Sequence, residues 1–575
     1  MEKLTEVDFE SIISRFGFLA LGILLLFIPY AIFDDVGYSG PLYIILEFLM
    51  ALVGFLFILY STSPYRRIGV SKRNLQYLII STMLLISVLI VIIGMSVKTI
   101  YTDELAIEVL SSRRLLDGLN PYGFHFGLSA LKAYGVSLSA LTPTINGGYI
   151  STLQYPDLMV LLLTPFVVFH VNPDALLFLF TVILIFIIAY EYISKELSFM
   201  VPLAVAIVFF NINLIFFSYE GITDIVWVVF LTLSLIFLQK RYVPGIFLGL
   251  SIAAKQLPIF IIPFLLIFIY KKYGIHKLLE VILFTVATFT LINLPFIIES
   301  PRIFFSAVLA PESTPIFGIG FGLSQVYFSG YLPFADREFF TILMLSVWAL
   351  LVILYLYKFD KLKYSLTVFP IIIVMFNFRL LENYIMYWPI ITLATFPYIF
   401  KEKTEVKELK QSVPLLDGFK IQFKKHILRN ADLKKVYRIS IILLLLIVVS
   451  MPIYAFIQND RVYDEKIVIE SATLSDINKY GFANSMMINV SYGKDVTNTS
   501  FNFRILEDGF LNNPNGLFWN DSMQVNNITC GFTVYHLYTN DSANYLIANN
   551  SYIIIAYNQY VETWYHITVG HSLLI

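Results

Sequence analysis

The chain has 575 residues and a mass of 66.0 kDa; 58% of it is hydrophobic, only 14% is charged, and the mean hydropathy is +0.77. Soluble domains run at about 25% charged residues, so this composition excludes an ordinary water-soluble enzyme. The 39 Lys and Arg against 40 Asp and Glu leave a net charge of −1, which gives no reason to expect nucleic acid as a partner, and the single cysteine, Cys530, excludes an internal disulfide and a cysteine-based metal cluster.

Met1 to Arg15 carries Glu2, Glu6, Asp8 and Glu10 ahead of the first apolar run. That is the wrong charge for a cleavable signal peptide, so the first helix is expected to be retained. Apolar runs then fall near 17–33, 41–60, 77–97, 157–170, 175–190, 199–217, 223–238, 244–270, 279–298, 339–357, 365–378, 384–400 and 438–457. A membrane-crossing helix needs about 20 such residues, and the pattern predicts a polytopic α-helical membrane protein with about 11–13 transmembrane helices.

Orientation follows from Lys and Arg in short loops. Arg66, Arg67, Lys72 and Arg73, then Lys271, Lys272 and Lys277, then Lys361 and Lys363, and finally the basic segment 401–437 are expected on the cytoplasmic side. The stretches 98–156, 299–338 and everything after 458 are then expected outside. Between 157 and 270 two readings stay open. Either all five runs span, which puts Lys240 and Arg241 outside, or 157–170 is a partial helix and 244–270 splits at Lys255 to Pro258 into a re-entrant pair.

After residue 458 the character changes. Alternating stretches such as Lys466 to Glu470 and Ser551 to Tyr557, separated by Asn, Gly and Asp, predict a small β-rich domain. Six Asn-x-Ser/Thr sequons, at Asn489, Asn498, Asn520, Asn527, Asn540 and Asn549, are confined to it. N-glycans are added on the non-cytoplasmic face, which agrees with the charge rule. The expected organisation is therefore two helices and a basic loop in 1–76, a membrane domain in 77–400, a basic linker in 401–437, a last helix in 438–457, and an external β-rich domain in 458–575.

Chemistry is most visible after the third run. Asp103 and Glu104 stand just beyond its expected external end. Ala106, Val109, Leu110 and Leu116, set against Glu108, Arg113 and Arg114, suit an amphipathic helix in the membrane interface, closed by Gly118 and turned by Asn120-Pro121-Tyr122. Further on come Tyr155-Pro156; Gly221-Ile-Thr-Asp224; Lys240-Arg241; Gly245-x-x-x-Gly249-Leu, continuing to Lys255-Gln-x-Pro258; and Arg379-x-x-Glu382-Asn383-Tyr384 before Trp388-Pro389.

In this order, over roughly residues 77–400, these motifs resemble GT-C superfamily membrane glycosyltransferases, especially polyprenol-phosphate-mannose-dependent mannosyltransferases of the family 87 type. Asp157 replaces the second proline of that family's Tyr-Pro-Pro. The resemblance implies transfer of a hexose, with mannose expected, from a polyprenyl phosphate to an acceptor hydroxyl, with inversion and on the external face. By position Asp103 matches the family's catalytic base, and Glu104 is the candidate to position the acceptor or share the acid/base role. The partners implied are a lipid-linked sugar donor, a glycan, lipid or protein acceptor, and membrane lipids. No cofactor is required by this chemistry. No His or Cys cluster with metal spacing appears, although a carboxylate site could hold a divalent cation.

A leaving phosphate needs cationic partners. Lys255, Arg302, Arg379, Arg113 and Arg114 are the candidates, with Asn120, Tyr122, Asn383 and Tyr384 as further binding residues. Lys255 is the most informative, because an ionisable side chain inside an apolar run is costly there and points first to function; the lesser alternative is that it snorkels or pairs with Asp224. Arg379 and Glu382 could pair with each other, and Arg113 and Arg114 could serve lipid headgroups. The Gly- and Pro-rich loop 299–338 is expected to bind or gate substrate. A competing reading is a transporter or flippase for a lipid-linked or polar solute, with Lys255 and Asp224 lining the pathway. A third is a surface protein whose helices only anchor the β domain.

Overall fold

The computed structural model describes residues 12–26, 41–62, isolated positions within 77–88, most of 102–398, isolated positions within 442–453, and most of 467–568. The loop with Arg66, Arg67, Lys72 and Arg73, the linker 401–437, most of the last run, and Asn498, Asn540 and Asn549 lie outside the described residues.

The apolar runs become helices, but most are short. In chain order they are α1 (Ile12–Leu26), α2 (Pro41–Thr62), α3 (Asp103–Leu116), α4 (Leu158–Val168), α5 (Asp174–Ser194), α6 (Val201–Phe210), α7 (Asn213–Glu220), α8 (Ile225–Ile236), α9 (Val243–Ala254), α10 (Ile262–Tyr273), α11 (Ile275–Glu299), α12 (Pro301–Val308), α13 (Ala310–Ser313), α14 (Arg337–Tyr357), α15 (Phe369–Val374) and α16 (Asn383–Thr395). Three of the described helices, α5, α11 and α14, are long and apolar enough to cross a membrane, or four if the pair around Asn211, bent by 47°, counts as one broken span.

Run length in the sequence therefore overstates helix length, and the reasons are local. The run 244–270 breaks where Lys255 takes an extended conformation (φ −160°, ψ 157°) ahead of Pro258, as the split reading expects. The run 157–170 yields an 11-residue helix, about 16 Å at 1.5 Å per residue, against a hydrocarbon core of about 30 Å. In α11 and α14 only 17% and 28% of the most apolar window is buried. Leu279, Leu283, Val286, Leu291 and Ile298 stand exposed along α11. An outward apolar face of this extent fits lipid rather than water.

Close helix packing comes from small residues. A Cβ on Gly245 would lie 2.7 Å from the Val281 carbonyl, and one on Gly249 would lie 2.7 Å from the Thr285 carbonyl, so the Gly-x-x-x-Gly spacing brings α9 directly onto α11. This contact holds the C-terminal end of α9, and with it Lys255, against the core.

The C-terminal region is a β domain with its own core. One four-stranded antiparallel sheet has the order β1 (Ile467–Leu474), β3 (Ser485–Tyr492), β7 (Phe532–Tyr538), β6 (Asn520–Asn527). The other runs β10 (Glu562–Thr568), β9 (Ser551–Tyr557), β4 (Asn502–Glu507), β5 (Leu517–Phe518). A short pair joins β2 (Phe482–Ala483) to β8 (Leu546–Ile547). Alternate residues Met486, Ile488 and Val490 of β3 pack with Tyr535 and Leu537 of β7 and with Phe503, Ile505 and Ile554 of the second sheet, which is the period-2 burial that the sequence alternation anticipates. Asn489 sits in mid-strand on β3, and Asn520 and Asn527 bound β6.

Candidate functional site

The site is assembled at helix ends. Thr102 caps α3, its Oγ1 accepting from the Leu105 amide at 3.4 Å and donating to the Gly221 carbonyl at 2.8 Å. Gly221 has φ +82°, and a Cβ there would lie 2.9 Å from Leu105 Cδ2. Only glycine lets the chain turn this close to α3. That approach carries Thr223 and Asp224 beneath the first turn of α3, where Asp103 and Glu104 also benefit from the positive end of the helix dipole.

Lys255 lies at the centre. It is 3% exposed, and its Nζ donates to Glu104 Oε1 at 2.8 Å and to Asp224 Oδ2 at 3.0 Å while standing 5.0 Å from the centre of the Tyr155 ring. Thr223 Oγ1 donates to the same Glu104 oxygen, Trp227 Nε1 donates to Asp224 Oδ1 at 2.5 Å, and Asn383 Nδ2 donates to Asp224 Oδ2. One lysine thus answers two carboxylates. The pairing of Lys255 with Asp224, weighed above as an alternative to a binding role, is real, and Lys255 also lines a cavity.

That cavity, of about 130 Å³, is bounded by Tyr155, Lys255, Gln256, Arg337, Arg379 and Tyr384, with Pro311 and Ile316 from the 299–338 loop. The loop therefore reaches the site, although part of it takes helical form as α12 and α13 rather than staying irregular. Gln256 Nε2 donates to the carbonyls of Gln154 and Val308, each at 2.8 Å, and Arg337 donates to the carbonyls of Pro311 and Thr314. These bonds fasten the loop to the helix break.

Asp103 has separate company. It is 7% exposed, accepts the Thr142 amide on Oδ2 at 2.6 Å, and is linked through Thr142 to Arg379, whose Nη2 donates to Thr142 Oγ1 at 3.4 Å. Arg379 rather than Asp103 forms the cavity wall. Burial raises the Asp103 carboxyl from 3.8 to about 6; the Thr142 bond and the Arg379 charge oppose the rise, and the Glu104 charge adds to it. An acid of this kind can accept a proton near neutral pH.

Several expected residues make their described contacts away from the cavity lining. Glu108, placed on the polar face of α3 by its sequence pattern, is fully buried. Arg114 Nε donates to the Asn120 carbonyl at 2.6 Å, and its guanidinium lies 3.9 Å from the Phe124 ring centre. Arg113 lies 5.1 Å from the Tyr134 ring centre. Asn120 Oδ1 accepts the Tyr122 amide at 2.9 Å, and Tyr122 packs on Phe296 and Phe304 while its hydroxyl donates to the Tyr155 carbonyl at 2.8 Å. The Asn-Pro-Tyr segment thereby holds Tyr155 in place. Arg302 is exposed on α12 and does not line the cavity.

Sequence reading missed Arg337 and Thr142. Arg337 carried a usable signal, a cation at the very start of a long apolar helix. Thr142, in an irregular stretch, carried none. Among the described residues no group of three or more His, Cys, Asp or Glu is placed to hold a metal ion. Comparison of the chain with known protein families, curated proteins and solved structures finds no match in any of the three.

Proposed function

We propose that the protein is a polytopic membrane glycosyltransferase of the GT-C type, with about 11–13 spans when broken helices are counted with the rest. In this reading it takes a hexose, with mannose as the expected sugar, from a polyprenyl phosphate at the external face of the cell membrane and transfers it to an acceptor hydroxyl with inversion. The β domain then lies outside, where its sequons can be glycosylated. The observation that carries the reading is the meeting of Lys255, Arg379 and Arg337 on one aromatic-walled cavity, with a carboxylate of raised pKa one residue beyond it through Thr142.

Each part has a task. Lys255, Arg337 and Arg379 stabilise the negative charge that develops on the departing phosphate. Tyr155 and Tyr384 offer flat faces for the sugar. Asp103 takes the acceptor proton as the glycosidic bond forms, and Glu104 fixes Lys255. The decisive assay uses purified protein with a radiolabelled polyprenyl-phosphate mannose and a mixture of mannosyl acceptors. Transfer by the wild type and its loss in Asp103→Asn support the reading. Full transfer by Asp103→Asn removes the assigned base, and no donor binding by the wild type removes the reading.

A further inference from the structure

Glu108 is unused by that mechanism. It is completely buried on α3, and neither carboxyl oxygen has a hydrogen-bond partner among the described residues. Four residues after Glu104, it shares the same helix face, with the two Cβ atoms about 5–6 Å apart in such a pair. Glu104 in turn depends on Lys255, the same lysine that Asp224 holds and that lines the cavity.

This arrangement sets a conflict. An anionic ligand in the cavity draws the Lys255 ammonium toward itself, and Glu104, a largely buried carboxylate whose Oε1 accepts from Lys255 and Thr223, would keep only the Thr223 hydroxyl of these two donors. A buried charge stripped of its partner is strongly unfavourable. Resting on the reading of the cavity as a phosphate site, we propose that Glu108, held as the neutral acid, is a positioning residue that donates its proton in a hydrogen bond to Glu104 and so replaces Lys255 when that lysine turns to a phosphoryl ligand. No proton is taken from or released to solvent in the exchange; one donor substitutes for another on the same carboxylate.

The surroundings favour a neutral Glu108. The charged groups around it are Glu104 on its own helix, Lys255 at the end of α9 and Asp224 ahead of α8, so two acids oppose one cation. Helix α4, packed on α3, contributes no ionisable side chain between Leu158 and Val168. Asp157 precedes α4, and the Tyr122 hydroxyl lies within electrostatic reach of both Asp157 and Glu108. The short helix Leu128–Lys132, which also packs on α3, bears one ionisable group, the exposed Lys132. Burial, with Glu104 adding to it and Lys255 opposing, pushes the Glu108 carboxyl well above the usual carboxylate range. A hydrogen bond from a neutral acid to a carboxylate is short and strong, about 2.5–2.7 Å between oxygens.

The test is binding of a short-chain polyprenyl monophosphate to full-length protein in detergent, measured from pH 7 to 10, with thermal melting of each variant recorded alongside. In the wild type affinity falls at the pH where Glu108 ionises, which burial moves to the alkaline side of the usual carboxylate range. Glu108→Gln, which keeps a donor but cannot ionise, retains the affinity and loses that alkaline fall. Glu108→Met, which has no donor, binds about 10-fold more weakly or worse at every pH. In a Glu104→Gln background Glu108→Met has no further effect, because no carboxylate needs the donor. Wild-type affinity in Glu108→Met, or an alkaline fall that persists in Glu108→Gln, overturns the proposal. Absence of polyprenyl phosphate binding by the wild type instead overturns the reading of the cavity, so the two failures are distinct.

Discussion

Thr102 Oγ1 donates to the carbonyl of Gly221, 119 residues further along the chain, at 2.8 Å. This one bond ties the start of α3 to the turn that carries Asp224. It explains why Asp103-Glu104 and Gly221-Ile-Thr-Asp224, unrelated as sequence, act as one unit. A Gly221→Ala variant forces a Cβ toward Leu105 at a left-handed backbone position. The conformational cost alone is roughly 1–2 kcal/mol, and the steric contact adds to it. The expected outcome is a lower melting temperature in detergent together with reduced transfer, because Asp224 moves relative to Lys255. Wild-type melting and turnover would show that the close approach is dispensable.

Replacing Asp103 separates chemistry from folding. Its raised pKa means that the folded state holds the proton between about 3.8 and 6 while the unfolded chain does not, so the group's contribution to stability is largest below 3.8 and declines as pH rises toward 6. Above that, the ionised Asp103 opposes folding by up to about 3 kcal/mol at roughly 1.4 kcal/mol per pKa unit. Asp103→Asn, whose carboxamide oxygen can still accept the Thr142 amide, should be at least as stable as the wild type at pH 7.5. It should also lose transfer by about 100-fold or more. Wild-type transfer rates should fall on acidification through about pH 6. A rate flat between pH 5 and 7 would remove Asp103 from the proton transfer.

Lys255→Gln leaves the fully buried Asp224 and the largely buried Glu104 together with no cation. Removing one partner of a buried ion pair costs about 3–5 kcal/mol. Poor folding is therefore expected alongside weak donor binding. Combining Lys255→Met with Glu104→Gln and Asp224→Asn should restore the melting temperature without restoring transfer. If the triple variant melts as low as the single one, charge burial is not what makes Lys255 indispensable to the fold.

Arginines at the two ends of the 299–338 region make a matched comparison. Arg337 lines the cavity and Arg302 does not. Arg337→Gln should weaken polyprenyl phosphate binding by about 10-fold to 100-fold, the size of a lost hydrogen bond to a charged group. Arg302→Gln should leave binding within about 2-fold, in keeping with an exposed surface substitution. Equal effects in the two variants would sever the link between cavity lining and phosphate recognition.

Much of this arrangement was legible in the residues. The helical class, the β domain with its strands at Ile467 and Ser551, and the pairing of Lys255 with Asp224 follow from composition, alternation and the cost of a charge in an apolar run. Span count was less legible, because hydropathy does not register where Lys255, Pro258 or Asn211 ends a helix. Glu108 was misplaced for a different reason. Helical periodicity assigns a polar face, but Val160 and its neighbours on α4 cover that face in the folded chain, as the bond from Ser112 Oγ to the Val160 carbonyl at 2.9 Å records. Thr142 was invisible because its bond to Asp103 on Oδ2 is made by a backbone amide, which every residue but proline possesses.

The break at Lys255 also bears on how the chain is made. Both carboxylates that hold the lysine precede it in synthesis, Asp224 by 31 residues and Glu104 by 151. The ammonium therefore emerges into a partly built bundle that can already neutralise it, and it need not cross an apolar environment alone. Asn383, which steadies Asp224, arrives last of the four. A nascent chain halted just before Arg379 is expected to shelter its lysine yet to lack Arg379, Tyr384 and with them one wall of the cavity, so charge is accommodated during biogenesis well before the cavity is closed.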